Sequence, residues 1–256
     1  MPLILIENSL KGFFFEIQAF FALALRAFVS LFRRPFYYRE FTTQLDKIGV
    51  GSLFIVILTG MFTGMVMALQ AVIQLKPFAA TSYVGGMVAV SMVKEMGPVL
   101  SALMVTGRVG SAITAELGTM VVTEQVDAMR VEGTDIVKRL VTPRLKATLI
   151  SLPLLAVVTD AVALAGGFLI SSNYDINIIM YWQSLSQFMV PQDLAEGVVK
   201  PMVFGTIFCM ISCYVGLQTR GGAEGVGNAV KKAVVLSSVL ILVSDFFLTK
   251  LFIAFR

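Results

Sequence analysis

The stretch YVGGMVAVSMVKEMGPVLSALMVTGRVGSAITAE, residues 83–116, decides the fold of this chain. It is long and apolar enough to cross a bilayer, which takes about 20 mostly apolar residues in a helix. Lys94 and Glu95 nevertheless lie about 16 Å along that helix from Tyr83, at roughly 1.5 Å per residue. Because charged side chains inside a bilayer are costly, they normally face a partner or a functional cavity. The stretch therefore predicts a membrane-spanning helix that carries a polar site.

The composition of the whole chain agrees with this prediction. Of its 256 residues, 57% are hydrophobic and 14% are charged, whereas a soluble domain carries about 25% charged residues. Long apolar blocks, in which each segment must satisfy its own backbone groups, predict an all-α integral membrane protein. The net charge of +4 is expected in cytoplasmic loops rather than in a nucleic-acid interface.

The residue types that are present limit the chemistry. The chain has no histidine, which excludes catalytic and metal sites built on imidazole. Cys209 and Cys213 are four residues apart in an apolar run, and we interpret them as packing residues on one helix face rather than as a redox pair. We expect no catalytic residue, metal or cofactor in this chain.

Apolar runs predict five transmembrane helices in a single domain of residues 50–256. They are Val50–Ile73, Tyr83–Gly118, Ala147–Ile170, Ala195–Leu217 and Ala233–Ile253. Lys and Arg residues are concentrated in segments 1–49, 119–146 and 218–232, and are absent from Ser171–Leu194. Since basic residues mark cytoplasmic loops, we expect a cytoplasmic N-terminus and a C-terminus on the opposite, outer side.

Two segments outside the spans have an interfacial character. Residues 1–49 form a predicted cytoplasmic arm, whose apolar run Phe13–Phe32 is interrupted by polar residues. This run predicts an amphipathic helix in the membrane interface, with a re-entrant hairpin as the alternative. Residues 171–194 contain Tyr181 and Trp182 but no basic residue, which favours an outer interfacial segment over a plain loop only slightly.

Small residues and a proline mark positions for close packing or for a cavity. The first span has small residues at steps of four, Gly60, Gly64 and Ala68, which allow another helix to approach closely. In the second span, Pro98 removes a backbone donor and is expected to kink or break the helix. The candidate cavity or packing positions are Gly60, Gly64, Gln70, Phe78, Gly97 and Pro98.

Charged residues inside the apolar spans need partners. We interpret Lys94 and Glu95 as one wall of a cavity, with a neutralised packing pair as the alternative. Lys200 is expected either to reach an anionic headgroup or to extend to the interface. The remaining isolated charges form a predicted buried network whose pairings stay open, also with respect to the two lysines. These charges are Arg108, Glu116, Asp160 and Asp245.

Two loops are candidates for contact with a partner protein or a nucleotide. Residues 119–135 predict a short helix with Val126 and Met129 on one face, which would dock on a cytoplasmic partner or remain a solvated loop helix. Gly221–Gly227 is rich in glycine but lacks the Gly-Lys-Ser/Thr ending of a phosphate-binding loop. We therefore interpret it as a flexible connection, and any ATP hydrolysis is expected on another subunit.

The blocks Glu95–Leu100, Gly107–Gly118 and Glu124–Met129 strongly resemble the MlaE (YrbE-type) permeases, and the resemblance extends from about Gly49 onward. It implies a homodimer in the bacterial inner membrane, at the core of a complex that moves phospholipid or a related lipid. A cytoplasmic ABC ATPase that uses ATP and Mg, a periplasmic MCE-domain protein and, in some systems, a STAS-domain protein are the implied partners.

The resemblance also assigns roles to residues. It places the family's lipid-contacting positions on Lys94, Glu95 and Lys200, with Lys94 in place of the more frequent arginine. It makes the loop helix the coupling helix that enters a groove of the ATPase. The residues implied in this coupling are Glu124, Asp127, Met129 and Arg130.

Two other classes of function remain as alternatives. An ion-coupled secondary transporter or channel would use Lys94, Glu95, Asp160 and Asp245 as a relay, without any ATPase. A membrane scaffold would only hold the other subunits of a complex together.

Overall fold

The computed structural model describes residues 2–31, 33 and 37–254, with side chains from residue 15 onward. Phe32, at the end of the predicted interfacial run, and the last two residues of the predicted domain lie outside the described residues. Across the described part, the chain is built from helices and turns, which confirms the predicted all-α class. The α-helices are α1 (Pro2–Ser30), α2 (Tyr38–Ile48), α3 (Leu53–Leu75), α4 (Val84–Ser91), α5 (Gly97–Val105), α6 (Ser111–Val122), α7 (Gln125–Val131), α8 (Thr142–Ser171), α9 (Ile178–Phe188), α10 (Pro191–Leu217) and α11 (Gly222–Ala254).

Five helical stretches of the described chain are long and apolar enough to cross a membrane, which confirms the five predicted spans. They are Tyr38–Phe78, Thr81–Val122, Val137–Tyr174, Pro191–Leu217 and Gly222–Ala254. Each stretch extends beyond at least one end of the apolar run that predicted it, because polar residues can continue a helix outside the hydrocarbon core. Short turns join the spans, with α7 at one end of the bundle and α9 at the other. We call these the α7 end and the α9 end.

The predicted flexible connection Gly221–Gly227 is wrong. The backbone is left-handed at Gly221 (φ 90°) and Gly222 (φ 67°), and α11 begins at Gly222. Two consecutive left-handed residues reverse the chain at once, which glycine permits at little steric cost. The remaining glycines of this segment therefore lie inside the first turns of α11.

The second span is helical throughout but changes its winding twice. A π-helical turn, Met92–Met96, separates α4 from α5, and a second one, Thr106–Gly110, separates α5 from α6. Pro98 falls in the first turn of α5, where its missing N–H is tolerated best. The predicted interruption at Pro98 thus takes the form of a π-helical turn rather than a break.

The small-residue stripe of α3 packs on α8. A Cβ atom added to Gly60 would lie 2.9 Å from the Thr159 carbonyl oxygen, and one added to Gly64 would overlap the backbone of Ala163. Neither position has room for a larger side chain. These glycines therefore serve close helix packing, which is one of the two interpretations open from the sequence.

The N-terminal arm packs against the bundle near the α7 end. The Tyr214 hydroxyl of α10 donates to the Glu16 carbonyl oxygen at 2.9 Å, and its ring meets Phe20 edge to face at 5.4 Å. Ala27 is fully buried in the main core. The arm thus contains one continuous helix of 29 residues, and its interfacial placement stays a prediction.

The main core surrounds α10. Cys209 and Cys213 are free thiols that are fully buried beside Phe204 and Phe208. This confirms the interpretation of the two cysteines as packing residues.

Candidate functional site

A cluster of charged side chains lies between the second, fourth and fifth spans, toward the α9 end. Its centre is Lys200 of α10, whose side chain is fully buried. The Lys200 ammonium donates to Glu95 Oε2 at 2.7 Å and to Thr249 Oγ1 at 2.8 Å. It also donates to the Lys94 carbonyl oxygen at 2.9 Å and lies 3.1 Å from Asp245 Oδ1. All three of its N–H donors therefore have protein partners.

A second lysine completes the cluster. Lys94 Nζ lies 3.2 Å from Asp193 Oδ1 and 3.8 Å from Glu196 Oε2, both in the first turns of α10. The other oxygen of Asp193 accepts the Val190 N–H at 3.2 Å, so this carboxylate also holds the start of the helix. We call Lys94, Glu95, Asp193, Glu196, Lys200, Asp245 and Thr249 the Lys200 cluster.

The Lys200 cluster has more carboxylates than ammonium groups. Two lysines face four acidic side chains, and the most accessible of these charged side chains is Glu95, which is 36% exposed, against 0% for Lys200. The Asp245 side chain is 20% exposed. The open side of the cluster therefore presents acceptors, and a ligand reaches the Lys200 ammonium only if Glu95 or Asp245 moves aside.

The structure brings together Lys94, Glu95 and Lys200, the three positions that the resemblance assigns to lipid contact, and adds members that the sequence reasoning missed. Asp193 and Glu196 are three residues apart, and Glu196 is four residues before Lys200. Thr249 is likewise four residues after Asp245. These i, i+3 and i, i+4 spacings place the side chains on shared helix faces, and they are the signal that could have identified the missed residues.

The isolated charges do not form one network. Asp245 joins the Lys200 cluster, but Glu116 lies near the α7 end and accepts from the Arg144 guanidinium at 2.8 Å. Lys47 of α2 lies 3.7 Å from Glu116. The pairing of Glu116, which the sequence leaves open, is therefore with Arg144 and Lys47, because α6 carries Glu116 to the opposite end of the bundle from Lys94 and Lys200.

Arg108 and Asp160 lie apart from the Lys200 cluster and from each other's partners. Arg108 Nη1 donates to the Lys47 carbonyl oxygen at 3.1 Å and to Ser52 Oγ at 2.9 Å, and so ties the second span to the start of the first. Asp160 is 7% exposed and, among the described residues, has no ion-pair partner. Its carboxylate lies against Gly97, where a Cβ atom would overlap Oδ1. Gly97 is therefore required by the packing of α8 on the second span.

The other cavity or packing positions divide by exposure. Pro98 is buried, as Gly97 is. Gln70 and Phe78 are exposed near the α9 end, and the Phe78 side chain is 80% exposed. Gln70 and Phe78 thus remain available to lipid or to a second protein surface.

The short helix α7 occupies the predicted coupling position. Val126 is buried in the main core and Met129 is half-buried against it, so the predicted apolar docking face points into the bundle instead of outward. This follows from the length of α7, which is only two turns and packs its apolar side over the end of α6. The outward side carries Glu124, together with Asp127 and Arg130, which form an exposed ion pair at 2.8 Å.

Val131, which is 90% exposed, is an outward position that the sequence reasoning missed. In the described part of the chain, no group of three His, Cys, Asp or Glu side chains has the arrangement of a metal site.

The fold and the Lys200 cluster define an all-α, multi-pass membrane protein with a polar site built from three of its spans. Comparison with known sequences identifies the family: the profile described as "Permease MlaE" matches residues 41–251, which include all five spans up to Leu251. The chain belongs to the MlaE permease family.

Individual relatives agree with this assignment. A probable ABC transporter permease protein of Rickettsia bellii is 44% identical, with 93% of this chain and 92% of the relative covered. A probable ABC transporter permease protein of Synechocystis is 38% identical over 95% and 93% of the two chains. The intermembrane phospholipid transport system permease protein MlaE of Haemophilus influenzae is 34% identical over 80% of each.

Proposed function

We propose that this chain is the permease subunit of an ABC transporter that moves phospholipid or a related lipid between the bacterial inner membrane and a periplasmic MCE carrier. The observation that carries the proposal is the family match over residues 41–251, which covers the five spans except for three residues at either end and contains the complete Lys200 cluster. The names of the relatives from Rickettsia bellii and Haemophilus influenzae support the ABC class and the phospholipid substrate.

The proposed orientation places the α7 end in the cytoplasm. The loops at that end contain Arg130, Lys138, Arg139 and Arg220, whereas residues 171–194 at the α9 end have no basic residue, as the positive-inside rule requires. A separate ATPase that binds ATP and Mg docks below α7, and the MCE protein lies above the α9 end. In some systems of this family a STAS-domain protein bound to the ATPase is a further proposed partner.

Two copies of the chain enclose the lipid path. The face of α11 that its own chain leaves uncovered is apolar, with Val239, Val243, Phe246 and Phe247 all exposed by about half or more. Together with the apolar faces of the first and second spans, this surface lines a cavity that holds the acyl chains of the transported lipid. The Lys200 cluster lies beside it, because Thr249 and Asp245 belong to the same helix.

The phosphate of the headgroup interacts with Lys94 and Lys200, and Glu95 controls access. Since Lys200 has protein acceptors for all three donors, lipid entry exchanges one anionic partner for another when phosphate takes the place of the Glu95 carboxylate. This exchange keeps the buried ammonium paired, which avoids the large cost of an isolated charge in the bilayer. Closure of the ATPase on ATP is transmitted through the outward side of α7 and narrows the cavity.

Purification of the native complex, followed by mass spectrometry of its proteins and lipids, tests this function. We expect an ATPase, an MCE protein and phospholipid to accompany the chain, and lipid transfer in proteoliposomes to require ATP. Gradient-driven ion flux through the chain alone, without an ATPase, would instead support the secondary transporter. A complex that contains both partners but neither binds nor transfers lipid would support the scaffold.

A charge-reversal experiment tests the headgroup role. Lys94→Glu combined with Lys200→Glu is expected to abolish lipid co-purification and transfer, while Lys76→Glu, which changes an exposed lysine outside the cluster, leaves both intact. Lys94→Gln, at the more accessible lysine, provides a milder variant in case the double change prevents assembly. Normal transfer by a stably assembled double variant would refute the headgroup role.

A further inference from the structure

The helix α9 lies beside the ends of two membrane spans rather than beyond them. The Tyr181 hydroxyl donates to the Leu164 carbonyl oxygen at 3.2 Å, and Leu164 is seven residues, or about 10 Å, inside the end of α8. The backbone of Tyr181 also contacts Gly85 in the first turn of α4. The helix is therefore level with the terminal turns of two membrane spans.

One side of α9 is attached firmly to the second span. The Gly86 N–H donates to Ser184 Oγ at 2.9 Å, and the rings of Tyr83 and Phe188 meet edge to face at 5.6 Å. A Cβ atom at Gly85 would overlap the Tyr181 carbonyl oxygen, so α9 lies in direct backbone contact with α4. This attachment fixes which sides of α9 face away from the protein.

The sides that face away differ in polarity. Ile178 and Trp182, 48% and 47% exposed, are four residues apart and form one stripe. Gln183 and Gln187, both exposed, form a second stripe that is rotated from the first by about 140°, since each residue turns the helix by about 100°. One flank of α9 is thus purely apolar, whereas the flank with the glutamines also carries Met180 (42% exposed), and Ile179 (70% exposed) lies between the two stripes.

We propose that α9 is a membrane-surface helix, whose Ile178–Trp182 stripe inserts into the headgroup–acyl boundary of the adjacent leaflet while its glutamine stripe faces water. The chain has no charged residue between Asp175 and Asp193, so nothing in this segment opposes burial in the interface. An indole ring with an apolar body and one N–H donor prefers this boundary. The occupant is lipid, because this uncharged segment lies level with the ends of two membrane spans.

The lipid contact has a consequence for the polar site. Met189 and Val190 are the only residues between α9 and α10, and the Val190 N–H is held by Asp193, which pairs with Lys94. A membrane-anchored α9 therefore fixes the entrance of the Lys200 cluster relative to the leaflet surface. The proposal requires only that the chain spans the membrane, and it holds for any transported molecule.

Trp182 is the only tryptophan of the chain, so the intact protein reports on this stripe without any mutation. The experiment records its emission in phospholipid nanodiscs whose acyl chains are brominated either near the headgroup or near the terminal methyl. We expect blue-shifted emission, strong quenching by the shallow bromines, less by the deep ones, and little by aqueous acrylamide. Emission at the wavelength of an exposed indole, with strong acrylamide quenching, would overturn the proposal.

A matched variant tests the sidedness of the helix. Trp182→Phe with Gln187→Trp moves the indole to the amide stripe of the same helix, where we expect acrylamide to quench it and brominated lipid to have little effect. Equal lipid quenching at both positions would refute the orientation. A blue-shifted Trp182 that neither quencher reaches would show that protein, for example a second copy, covers the stripe, and this result would also refute the proposal.

Discussion

The side chain of Lys200 donates a hydrogen bond of 2.9 Å to the main-chain carbonyl oxygen of Lys94. In a regular α-helix this carbonyl would accept from the residue four positions later, which is Pro98 and has no N–H. Lys200 therefore supplies the donor that the proline withholds. The Gly-Pro interruption of the second span and the buried lysine of the fourth span are parts of one structural unit, although 106 positions separate Lys94 from Lys200.

Lys200→Met should destabilise the protein strongly. The change leaves Glu95 and Asp245 without their ammonium partner and the Lys94 carbonyl without its donor, and breaking a buried ion pair on one side costs about 3–5 kcal/mol. Thermal unfolding in detergent or nanodiscs measures the loss. Lys250→Met, at an exposed lysine of α11, is the control and should unfold as the unmodified protein does.

Adding Glu95→Gln and Asp245→Asn to Lys200→Met should recover part of that stability, because neutral amides do not need an ammonium partner. If the triple variant is no more stable than Lys200→Met alone, the loss is due to the shape of the side chain rather than to its charge.

Glu95→Gln should increase the binding of anionic lipid. The amide removes one negative charge from the accessible side of the Lys200 cluster while it keeps the size of the side chain, so phosphate meets less repulsion at Lys200. Mass spectrometry of co-purified lipids measures the ratio of anionic to zwitterionic species. Glu224→Gln, an exposed position in the first turn of α11, should leave that ratio unchanged, and an unchanged ratio for Glu95→Gln would contradict the gating role of Glu95.

Gly64→Ala should separate α3 from α8 and lower the stability. The added methyl group overlaps the Ala163 backbone, which cannot move without displacing a whole helix. By contrast, Gly227→Ala in α11 meets no atom within 4 Å and should be neutral or stabilising, by up to about 1 kcal/mol from helix propensity. The thermal unfolding temperatures of the two variants measure this difference in stability. Equal unfolding temperatures would exclude tight α3–α8 packing.

Asp127→Arg should impair the coupling to the ATPase without unfolding the permease. The residue is exposed and its pair with Arg130 is a surface pair, which contributes little to stability. ATP hydrolysis by the reconstituted complex measures the effect, and Asp46→Arg, an exposed acidic position in α2, is the matched control. Hydrolysis at the normal lipid-stimulated rate in Asp127→Arg would place the docking surface elsewhere.

An epitope tag after the last residue should be accessible from the periplasmic side. Five spans and a cytoplasmic N-terminus require the two ends of the chain to lie on opposite sides of the membrane. Protease digestion of intact spheroplasts is expected to remove the tag, while a tag before Met1 stays protected. Protection of the C-terminal tag would contradict the proposed topology.

The five spans follow from the sequence because hydropathy is a property of each segment alone, and a backbone in lipid must satisfy its hydrogen bonds within that segment. Hydropathy does not predict where the helices end. The apolar run of the last span starts at Ala233, but α11 starts at Gly222, since Lys231 and Lys232 continue a helix as well as apolar residues do.

The costly charges were also visible in the sequence, but their partners were not. Four charges can be recognised because each interrupts an apolar run: Lys94, Glu95, Lys200 and Asp245. Asp193 lies near the end of a span, where a charged residue is common and does not indicate a site. Only the packing of α10 against the π-helical turn at Met92–Met96 and against α11 decides that Lys200 lies at the centre, and that Glu116 pairs instead with Arg144 at the α7 end. Burial cost is set by local sequence, while ion pairing depends on distances between helices that are far apart in the chain.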